Sequence, residues 1–411
     1  MPEFPCTLGI DCGTSGLRGV VVDAAGTVLA TAHRPFPAGT TDPALWASAM
    51  DAVIAELAPT APVAALAIDG TSGTLLLTDA AGNPLGPALL YNDASAADLA
   101  PRIATLAPPE SAAHGATSPA ARLRRLQEGH PEAVHALHQA DWLAARLTGR
   151  LGLSDDNNAL KLGWDPVRRT WPAWLEAFGI RTDLLPEIVE PGTPLGEVRH
   201  GPLEGSRVTA GTTDGCASFL ATGASAPGDG VTALGTTLTL KILSDQPIFA
   251  PAHGIYSHKL LGAWLAGGAS NSGGAALLRY FAADEIEALT PRLRPDAPLD
   301  LGWHPLPGTG ERFPMADPAM TFEPADIPKT RENFLQALME GIARVEALAY
   351  RRLQELGGPP LGSVRTVGGG ARNDAWTRIR ARHLAVPMLQ PPSTDAAYGT
   401  ALLARKGLID G

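Results

Sequence analysis

The chain has 411 residues, and its 32 basic against 42 acidic residues give a formal net charge of −10. This balance argues against a nucleic-acid-binding protein, which needs a concentrated basic surface, although backbone N–H groups could still bind a small anion. The length exceeds what one hydrophobic core usually organises, so two domains are expected.

The three cysteines, Cys6, Cys12 and Cys216, form no C-x-x-C pair. An odd number without paired spacing predicts neither a disulfide framework nor a structural zinc site, and it favours a reducing compartment. No apolar run approaches the ~20 residues that a membrane span needs, and the first residues lack the pattern of a signal or transit peptide. We therefore expect a cytoplasmic protein that contacts no membrane.

Several strand-like segments along the chain end in turns rich in glycine and hydroxyl side chains. In the first, an apolar run breaks at Asp11, turns through Gly13–Gly16 and resumes as a second strand. One such turn is common hairpin chemistry, but recurrence in both halves of the chain indicates a phosphate-binding cleft built from strand tips. The four segments are residues 8–30, 63–85, 231–246 and 364–373.

Helical patterns lie between these strands and indicate an α/β fold. Apolar residues recur at the helical period over 44–58, 117–147 and 331–356. The small, glycine-rich segment 223–230 is the candidate boundary between two halves of similar size. The chain contains no G-x-x-x-x-G-K-[ST] loop, no G-x-G-x-x-G following a strand and no G-x-S-x-G elbow, which argues against three common classes of enzyme.

The first turn has the residue types that phosphoryl transfer requires. Asp11 is suited to hold a hydrated Mg²⁺, because magnesium keeps several waters and needs only one or two carboxylates. Gly13 lets the backbone approach phosphate oxygens, while Thr14 and Ser15 add hydroxyl donors. Arg18 can neutralise charge on the same phosphates.

Together with five later segments, this turn resembles the FGGY family of carbohydrate kinases in the actin-like ATPase superfamily. The resemblance covers essentially the whole chain in order. It implies an α/β fold of two actin-like (ribonuclease H-like) domains, each a mixed β-sheet flanked by helices, with the active site in the interdomain cleft. The matching segments are "DCGTSGLR" at 11–18, "AGTTDGCASFLATG" at 210–223, "LGTTLTLK" at 234–241, "GTGERFP" at 308–314, "VGGGARNDAWTRIRA" at 367–381 and "DAAYGTALLA" at 395–404.

By this resemblance, residues 1–224 carry the sugar and the catalytic base, residues 225–397 bind the nucleotide, and a last helix at 398–411 returns to the first domain. The segments "DGTSGTLLL" and "SDDNNALKLGWDP" look most like pentulose kinases of the plant and cyanobacterial type. The expected reaction is transfer of the γ-phosphate of ATP to a terminal hydroxyl of a ketopentose, giving D-ribulose 5-phosphate from D-ribulose. D-xylulose or another sugar or polyol is the alternative acceptor.

On the sugar side, the resemblance makes Asp214 the general base and Asp11 the magnesium-associated carboxylate, both catalytic and both next to the substrate. Thr14, Ser15, Ser72 and Asp93 complete the expected substrate-binding set. Simpler interpretations stay open: Asp214 as a helix N-cap, Ser72 as an ordinary turn hydroxyl, and Asp93 as a loop residue that caps the next helix.

On the nucleotide side, the resemblance implies two phosphate-binding turns and an adenine pocket. The glycines would clear space for a flat base, Asn373 would offer its amide to adenine, and Trp376 would shield the pocket; alternatively, Trp376 belongs to the core. The expected nucleotide-binding residues are Gly13, Thr14, Arg18, Gly235, Thr236, Thr237, Gly369, Gly370, Asn373 and Trp376.

The expected partners are therefore a sugar, ATP and Mg²⁺, in a monomer or homodimer. Two functions of other classes were weighed: an inactive sugar-responsive regulator and a chaperone-like ATPase. The first would need a DNA-binding helix-turn-helix, whereas a strand is predicted to start near Cys6. The second does not explain Asp214 beside a sugar-type segment.

Overall fold

The computed structural model describes residues 5–409, which form two compact units. Unit 1 comprises the described residues up to Gly223, the short segment His258–Gly262, and the described residues from Ser393 onward. Unit 2 comprises Ala224–Ser257 and Ala263–Pro392. Of the helix predicted at 398–411, residues 410 and 411 lie outside the described range.

The strands of the described residues fall into two six-stranded sheets and two short ribbons. They are β1 (Cys6–Cys12), β2 (Gly16–Val22), β3 (Val28–Pro35), β4 (Val63–Gly70), β5 (Leu75–Thr78), β6 (His135–His138), β7 (Leu153–Asp155), β8 (Glu187–Val189), β9 (Pro194–Glu197), β10 (Arg207–Thr209), β11 (Asp229–Leu234), β12 (Leu238–Ser244), β13 (Tyr256–Leu260), β14 (Ala263–Ser270), β15 (Ser363–Val367) and β16 (Met388–Leu389).

The α-helices of the described residues range from single turns to one of 25 residues. They are α1 (Pro43–Leu57), α2 (Ala100–Leu106), α3 (Pro119–Gly129), α4 (Gln139–Thr148), α5 (Asp156–Leu160), α6 (Trp174–Phe178), α7 (Asp214–Ala221), α8 (Gly274–Leu278), α9 (Ala283–Leu289), α10 (Arg331–Glu355), α11 (Asp374–Leu384) and α12 (Ala396–Ile409).

The sheet of unit 1 has the order β3-β2-β1-β4-β10-β9 and is mixed. β1 pairs parallel with β4, and β4 pairs parallel with β10, whereas β2 runs antiparallel to β1. In this register Asp11 lies opposite Asp69. The parallel strands therefore end at one edge of the sheet, where an isolated bridge joins Gly70 to Thr213.

Helices cover both faces of this sheet. On one face the buried side chains of α1, including Trp46 and Met50, pack into the core with Leu8 and Ile10 of β1. Helix α1 begins after Asp42, whose side chain accepts a hydrogen bond from the Ala44 N–H, and has proline in its first turn. The other face packs against α12 and α7 through small residues.

Glycine allows α12 to lie unusually close to β1. A Cβ atom at Gly9 would lie only 1.9 Å from the Ala397 carbonyl oxygen, and one at Gly399 would lie 1.9 Å from the Ala217 carbonyl oxygen on α7. Real Cβ contacts are never this short, so these two positions accept glycine alone. Helix α12 thus packs between the central strands and α7.

The second six-stranded sheet has the order β13-β14-β12-β11-β15-β16, and its strands belong to unit 2 apart from residues 258–260 of β13. β11 forms an antiparallel hairpin with β12 and pairs parallel with β15. The long helix α10 contributes much of the core, and α11 packs against it. Both units therefore contain a mixed sheet flanked by helices, as predicted for the α/β class.

Two local expectations were wrong. The pattern over 117–147 predicts two helical stretches separated by a proline-broken turn, but the second stretch begins with the strand β6, which pairs antiparallel with β5; here tertiary pairing overrides the helical propensity of the segment. The second glycine-tipped segment is also no hairpin, because β4 lies in the main sheet whereas β5 pairs with β6. Only the first and third segments, β1–β2 and β11–β12, are antiparallel hairpins of the predicted kind.

Candidate active site

Three aspartates gather at the carboxyl edge of the unit 1 sheet. Asp11 lies near the end of β1, Asp69 near the end of β4, and Asp214 is the first residue of α7, which follows β10. Parallel neighbouring strands end at the same edge, and this is where α/β proteins generally place their ligands. Sequence reasoning had selected Asp11 and Asp214 but not Asp69.

Asp11 and Asp69 form a closely coupled pair of carboxyl groups. The pKa of Asp11 is raised to about 6, chiefly by burial and in part by the charges of Asp214 and Asp395, against the lowering effects of Asp69 and Arg18. Asp69 is fully buried, so its pKa rises well above the usual value, and the charge of Asp11 adds to this. Asp69 is therefore the member of the pair that keeps a proton, while Asp11 is charged at neutral pH.

A hydrogen bond from α12 fixes the orientation of Asp69. The Thr400 hydroxyl donates to Asp69 Oδ2. The Oδ1 atoms of both Asp11 and Asp69 are buried and have no hydrogen-bond partner. The sequence contained a signal for Asp69 that was missed. The second turn, "DGTSG" at 69–73, begins with an aspartate as the first turn does at Asp11.

The oxygen atoms at Asp11 suit a hydrated Mg²⁺ better than a closed metal site. Within residues 5–409, no three His, Cys, Asp or Glu side chains are grouped so that they could hold a metal ion. The buried Asp11 Oδ1 without a partner is the kind of hard donor that magnesium prefers, and one or two carboxylates are enough when waters and phosphates supply the other ligands. The residues present therefore fit magnesium bound together with a nucleotide.

The turn after Asp11 is a tight connection between β1 and β2. The Gly13 N–H donates to the Gly16 carbonyl at 3.0 Å, and the side chains of Thr14 and Ser15 are exposed. Gly16 has no room for a side chain, because its Cβ would lie 2.6 Å from the Arg34 carbonyl oxygen.

Arg18 follows on β2, and 46% of its side chain is exposed. Its guanidinium lies 3.5 Å from the Asp395 carboxylate. It therefore keeps an exposed charge near this edge of the sheet.

Asp214 is half-buried at the start of α7, and its carboxylate accepts a hydrogen bond of 2.7 Å from the Gly215 N–H. The N-cap position itself belongs to Thr213, so the alternative of Asp214 as the N-cap residue does not hold. Lys161, a residue that sequence reasoning missed, carries a positive charge that interacts with Asp214.

Lys161 follows helix α5, and burial lowers its pKa whereas the charge of Asp214 raises it. The ammonium and the carboxylate are thus electrostatic partners. The sequence does single out Lys161 in one respect: it is the first lysine of a chain in which lysine is rare.

The turn that contains Ser72 is held by a buried network of hydroxyl and amide groups. The N–H and the hydroxyl of Thr71 each donate to Gln139 Oε1 at 3.1 Å, and the hydroxyls of Thr71 and Thr74 share a hydrogen bond of 2.6 Å. Gln139 in turn donates to Cys12 Sγ. The Ser72 hydroxyl is buried and has no hydrogen-bond partner, which distinguishes it from a hydroxyl that stabilises its own turn.

A narrow pocket borders this network, lined among others by Thr14, Thr71, Tyr91 and Gln139. Asp93 lies two residues beyond Tyr91, and its carboxylate accepts a hydrogen bond of 2.8 Å from the Ser95 N–H. This is a turn contact rather than a helix cap, because the next helical turn begins only at Ala97. Asp93 is thus held in place by its own loop.

In unit 2, the turn at Gly235–Thr237 joins β11 to β12 and is braced by the loop before α8. The Gly235 N–H donates to the Thr237 carbonyl at 3.1 Å, and Gly235 and Thr236 are exposed. The N–H groups of Gly274 and Ala275 donate to the carbonyls of Gly235 and Thr236. Gly274 is the last glycine of the segment "GASNSGG" at 268–274.

The strand β15, parallel to β11, ends in the glycines of the second predicted nucleotide segment. Gly368 has φ +86°, and a Cβ at Gly370 would lie 2.5 Å from Leu234 Cγ at the end of β11. The turn of Gly369–Arg372 therefore lies directly against the strand that leads into Gly235. Unit 2 brings its two predicted phosphate and adenosine segments together.

Asn373 and Trp376 have structural contacts of their own. The Asn373 side chain caps α11 by accepting from the Trp376 N–H at 2.9 Å, and it donates to the Thr290 hydroxyl. Trp376 is 3% exposed, lies in the unit 2 core, and donates from Nε1 to the Met339 carbonyl. These contacts favour the core alternative for Trp376 and leave the amide oxygen of Asn373 engaged within the protein.

Comparison with known proteins identifies the class. Residues 6–213 match the N-terminal domain, and residues 230–407 the C-terminal domain, of the FGGY family of carbohydrate kinases. The chain belongs to this family, and it is an enzyme that transfers a phosphoryl group to a carbohydrate. The family predicted from the sequence is thereby confirmed.

The relatives and solved structures extend over the whole chain. A xylulose kinase of Streptomyces coelicolor is 28% identical over 443 residues, covering 100% of this chain and 89% of the relative. A "xyloylose kinase" from Brucella ovis superposes with a TM-score of 0.85 at 25% identity, covering 99% of this chain and 91% of that one. A xylulose kinase from Rhodospirillum rubrum superposes with a TM-score of 0.83 at 26% identity, covering 98% and 90%.

These structures confirm the predicted two-domain α/β fold of the actin-like type. Among residues 5–409, no helix is both long and apolar enough to cross a membrane.

Proposed function

We propose that this carbohydrate kinase transfers the γ-phosphate of ATP to a terminal hydroxyl of a ketopentose. The observation that carries the proposal is the grouping of Asp11, Asp69 and Asp214 at the carboxyl edge of the unit 1 sheet, beside the unpartnered hydroxyl of Ser72. Unit 1 then binds the sugar and holds the base, and unit 2 binds the nucleotide.

Asp214 accepts the proton of the acceptor hydroxyl as its oxygen attacks the γ-phosphorus. A carboxylate can do this because the proton leaves as the new oxygen–phosphorus bond forms, so the base need not be strong. Lys161 keeps a positive charge near Asp214 and favours its charged form. Thr14, Ser15 and Ser72 donate hydrogen bonds to the sugar and to the transferring phosphate, and Asp93 lines the sugar side.

Asp11 would hold a hydrated Mg²⁺, and Asp69 supports it from the neighbouring strand. Such an ion would supply positive charge next to the phosphate oxygens, which is the main electrostatic requirement of phosphoryl transfer. The backbone at Gly13 approaches the phosphates, and Arg18 adds a positive charge at the same turn.

The exposed turn of Gly235, Thr236 and Thr237 receives the phosphate tail of the nucleotide. Gly369 has open space around it that leaves room for the adenosine, whereas Gly370 brings the turn close against Leu234. Asn373 and Trp376 shape this region by capping and anchoring α11 rather than by offering free polar atoms to the base.

Two acceptors follow from different observations. The segments "DGTSGTLLL" and "SDDNNALKLGWDP" lead us to predict D-ribulose, whereas relatives and structures at 25–28% identity carry the name xylulose kinase and favour D-xylulose. The two sugars are epimers at C3. A site that hydrogen-bonds one configuration rejects the other when its own buried groups are left unpaired.

The test is sugar-dependent ADP release across D-ribulose, D-xylulose, L-ribulose, glycerol and hexuloses, with ATP and Mg²⁺. We expect the highest kcat/KM with one of the two D-ketopentoses. A better glycerol or hexulose substrate would overturn the ketopentose assignment while leaving the kinase class intact. Sugar binding without any ADP release would instead favour the regulator alternative. Light scattering of the same sample tests the expected monomer or homodimer.

A further inference from the structure

Arg122 on α3 is a buried cation beneath the proposed sugar side of unit 1. Its relative exposure is 1%; its two terminal nitrogens donate hydrogen bonds to main-chain carbonyls, whereas Nε is buried without a hydrogen-bond partner. Nη2 donates to Gly73 at 2.8 Å and to Thr117 at 3.2 Å, while Nη1 donates to Leu89 at 3.0 Å and also to Leu90. A single planar side chain thus joins three separate chain segments.

Within residues 5–409, no carboxylate forms an ion pair with Arg122. Burial lowers its pKa to about 10, with the charge of Asp93 opposing the shift, so the guanidinium stays charged at neutral pH. Burying a charge without a salt bridge costs desolvation free energy. Carbonyl dipoles offset this cost only when their hydrogen-bond geometry is good. The fork of the guanidinium supplies that geometry, whereas a lysine would present a single point of charge.

Two of the three segments that Arg122 joins border the narrow pocket lined by Thr71, Leu90 and Tyr91, which is the proposed sugar side. Gly73 directly follows Ser72, and the carbonyls of Leu89 and Leu90 lead into Tyr91 and the loop of Asp93. The two segments also touch each other, because the Tyr91 N–H donates to the Thr74 hydroxyl at 3.0 Å.

Arg122 packs directly under the Ser72 turn. Gly73 has φ +88°, and a Cβ there would lie 3.5 Å from Arg122 Nη2 and 2.9 Å from Pro119 Cγ. The turn therefore has little freedom to move toward α3.

We propose that Arg122 is a positioning residue that holds the Ser72 turn and the Leu89–Asp93 segment as one surface, and thereby sets how the enzyme distinguishes epimeric ketopentoses. The inference rests on the proposed function, because it gives that surface its ligand. Arg122 does not touch the reacting atoms; it acts through the backbone at Gly73 and Leu90. Its loss should weaken sugar recognition and leave nucleotide recognition unchanged.

The test compares Arg122→Lys with the wild type and with Arg181→Lys. Arg181 is a matched control, since it also donates to two main-chain carbonyls of unit 1, those of Pro131 and Ala133, but touches none of the sugar-side segments. For Arg122→Lys we expect the KM for the preferred ketopentose to rise about tenfold, the size of effect of one lost charge-assisted hydrogen bond. The ratio of kcat/KM between D-ribulose and D-xylulose should move toward one, while the KM for ATP changes less than twofold.

The Arg181→Lys control should keep all three parameters. If Arg122→Lys keeps the wild-type sugar KM and epimer ratio, the inference is wrong. If the KM for ATP rises as much as the KM for the sugar, the role of Arg122 is general stability, and the inference is again overturned.

A measurement on the wild type covers the case in which the variant does not fold. Hydrogen exchange of the free enzyme should show slow and similar rates for the amides of Thr74 and Tyr91, because Arg122 already holds both segments before sugar binds. Fast exchange at Tyr91 beside slow exchange at Thr74 would contradict the proposal. The absence of sugar-dependent turnover in the wild type would instead refute the proposed function, so the two failures are distinguishable.

Discussion

The aspartates at the edge of the unit 1 sheet differ in burial and in charge, and this difference suits them to different roles. Asp69 is fully buried and hydrogen-bonded to α12, whereas Asp214 is half-buried and has the partly buried Lys161 as its electrostatic partner. Only the second environment leaves a carboxylate that can reach a substrate and take up a proton. Asp214 is therefore the residue whose charge the chemistry should need most.

We expect Asp214→Asn to lower kcat with the preferred ketopentose about a hundredfold or more, because the amide keeps the shape of the site but cannot accept a proton. ATP binding, measured by calorimetry, should barely change. Asp79→Asn is the control, since Asp79 is an exposed turn residue whose carboxylate bonds only to its own turn. Near-normal turnover by Asp214→Asn would assign the base to another residue.

Glu311 is a buried carboxylate in unit 2 with a full set of donors. Burial alone would raise its pKa, but hydrogen bonds from His304, Ser270, Asn271 and Arg312 hold the pKa below its usual value. A carboxyl group whose folded pKa is depressed stabilises the protein above its ordinary pKa, and this contribution disappears as the pH falls through the folded value.

We therefore expect Glu311→Gln to lower the free energy of unfolding at pH 7 by about 1.5–3 kcal/mol, the usual worth of hydrogen bonds to a charged group. The difference between wild type and variant should shrink as the pH falls below about 4.5, the ordinary value for this carboxyl. Denaturant unfolding across pH 3–7 measures it. The exposed Glu287→Gln serves as control, and a difference independent of pH would refute the assignment of the depressed pKa.

Among the secondary structure elements, α12 depends most on close packing. Its Gly399 and the Gly9 of β1 leave no space for a methyl group, so the helix can approach α7 and the sheet at backbone distance. This closeness also brings Thr400 within reach of Asp69. Packing of a helix thus determines the position of a carboxyl group at the site.

Gly399→Ala should destabilise the protein by at least about 1–3 kcal/mol, as overpacking of a well-filled core does. Gly129→Ala is the matched control, because Gly129 ends α3 with open space around it, and alanine there should be neutral or stabilise by up to about 1 kcal/mol. Thermal unfolding of both variants tests this. Equal melting temperatures would show that α12 can shift without cost.

The elements also show how far sequence reasoning reaches. Local patterns predicted α1, α10 and the β1–β2 hairpin, because a helical period or a glycine turn specifies them within a few residues. They did not predict β6, whose partner β5 lies about sixty residues earlier, nor Lys161 and Arg122, which reach their places only through tertiary packing. For Trp376 the sequence left two interpretations open, a pocket wall and a core side chain, and its 3% exposure favours the second.

At the level of the whole molecule, the two units should respond to different ligands. We expect a saturating ketopentose to slow hydrogen exchange at 71–74 and near Asp214 in unit 1. ADP with Mg²⁺ should slow it at 235–237 and 368–370 in unit 2, because each ligand stabilises the state that it binds. Mass spectrometry of peptides from both units gives the measurement.

In Asp214→Asn, ADP with Mg²⁺ should slow hydrogen exchange at the same segments as in the wild type, which makes this variant a useful control. The assignment of the sugar to unit 1 and the nucleotide to unit 2 would be wrong if the sugar slowed exchange only in unit 2. It would also be wrong if ADP slowed exchange only in unit 1, away from Asp11.

The packing of α12 against β1 also sets the order in which the protein can mature on the ribosome. Unit 1 begins first, yet the helix that covers its central strands is made only after all of unit 2. The roughly 170 residues between Gly223 and Ala396 take on the order of ten seconds or more to translate at ~5–20 residues per second. During that interval the sheet face around Gly9 and Val20 lacks α12, so the nascent chain should recruit chaperones at unit 1, and a chain that ends before residue 396 should leave that face uncovered permanently.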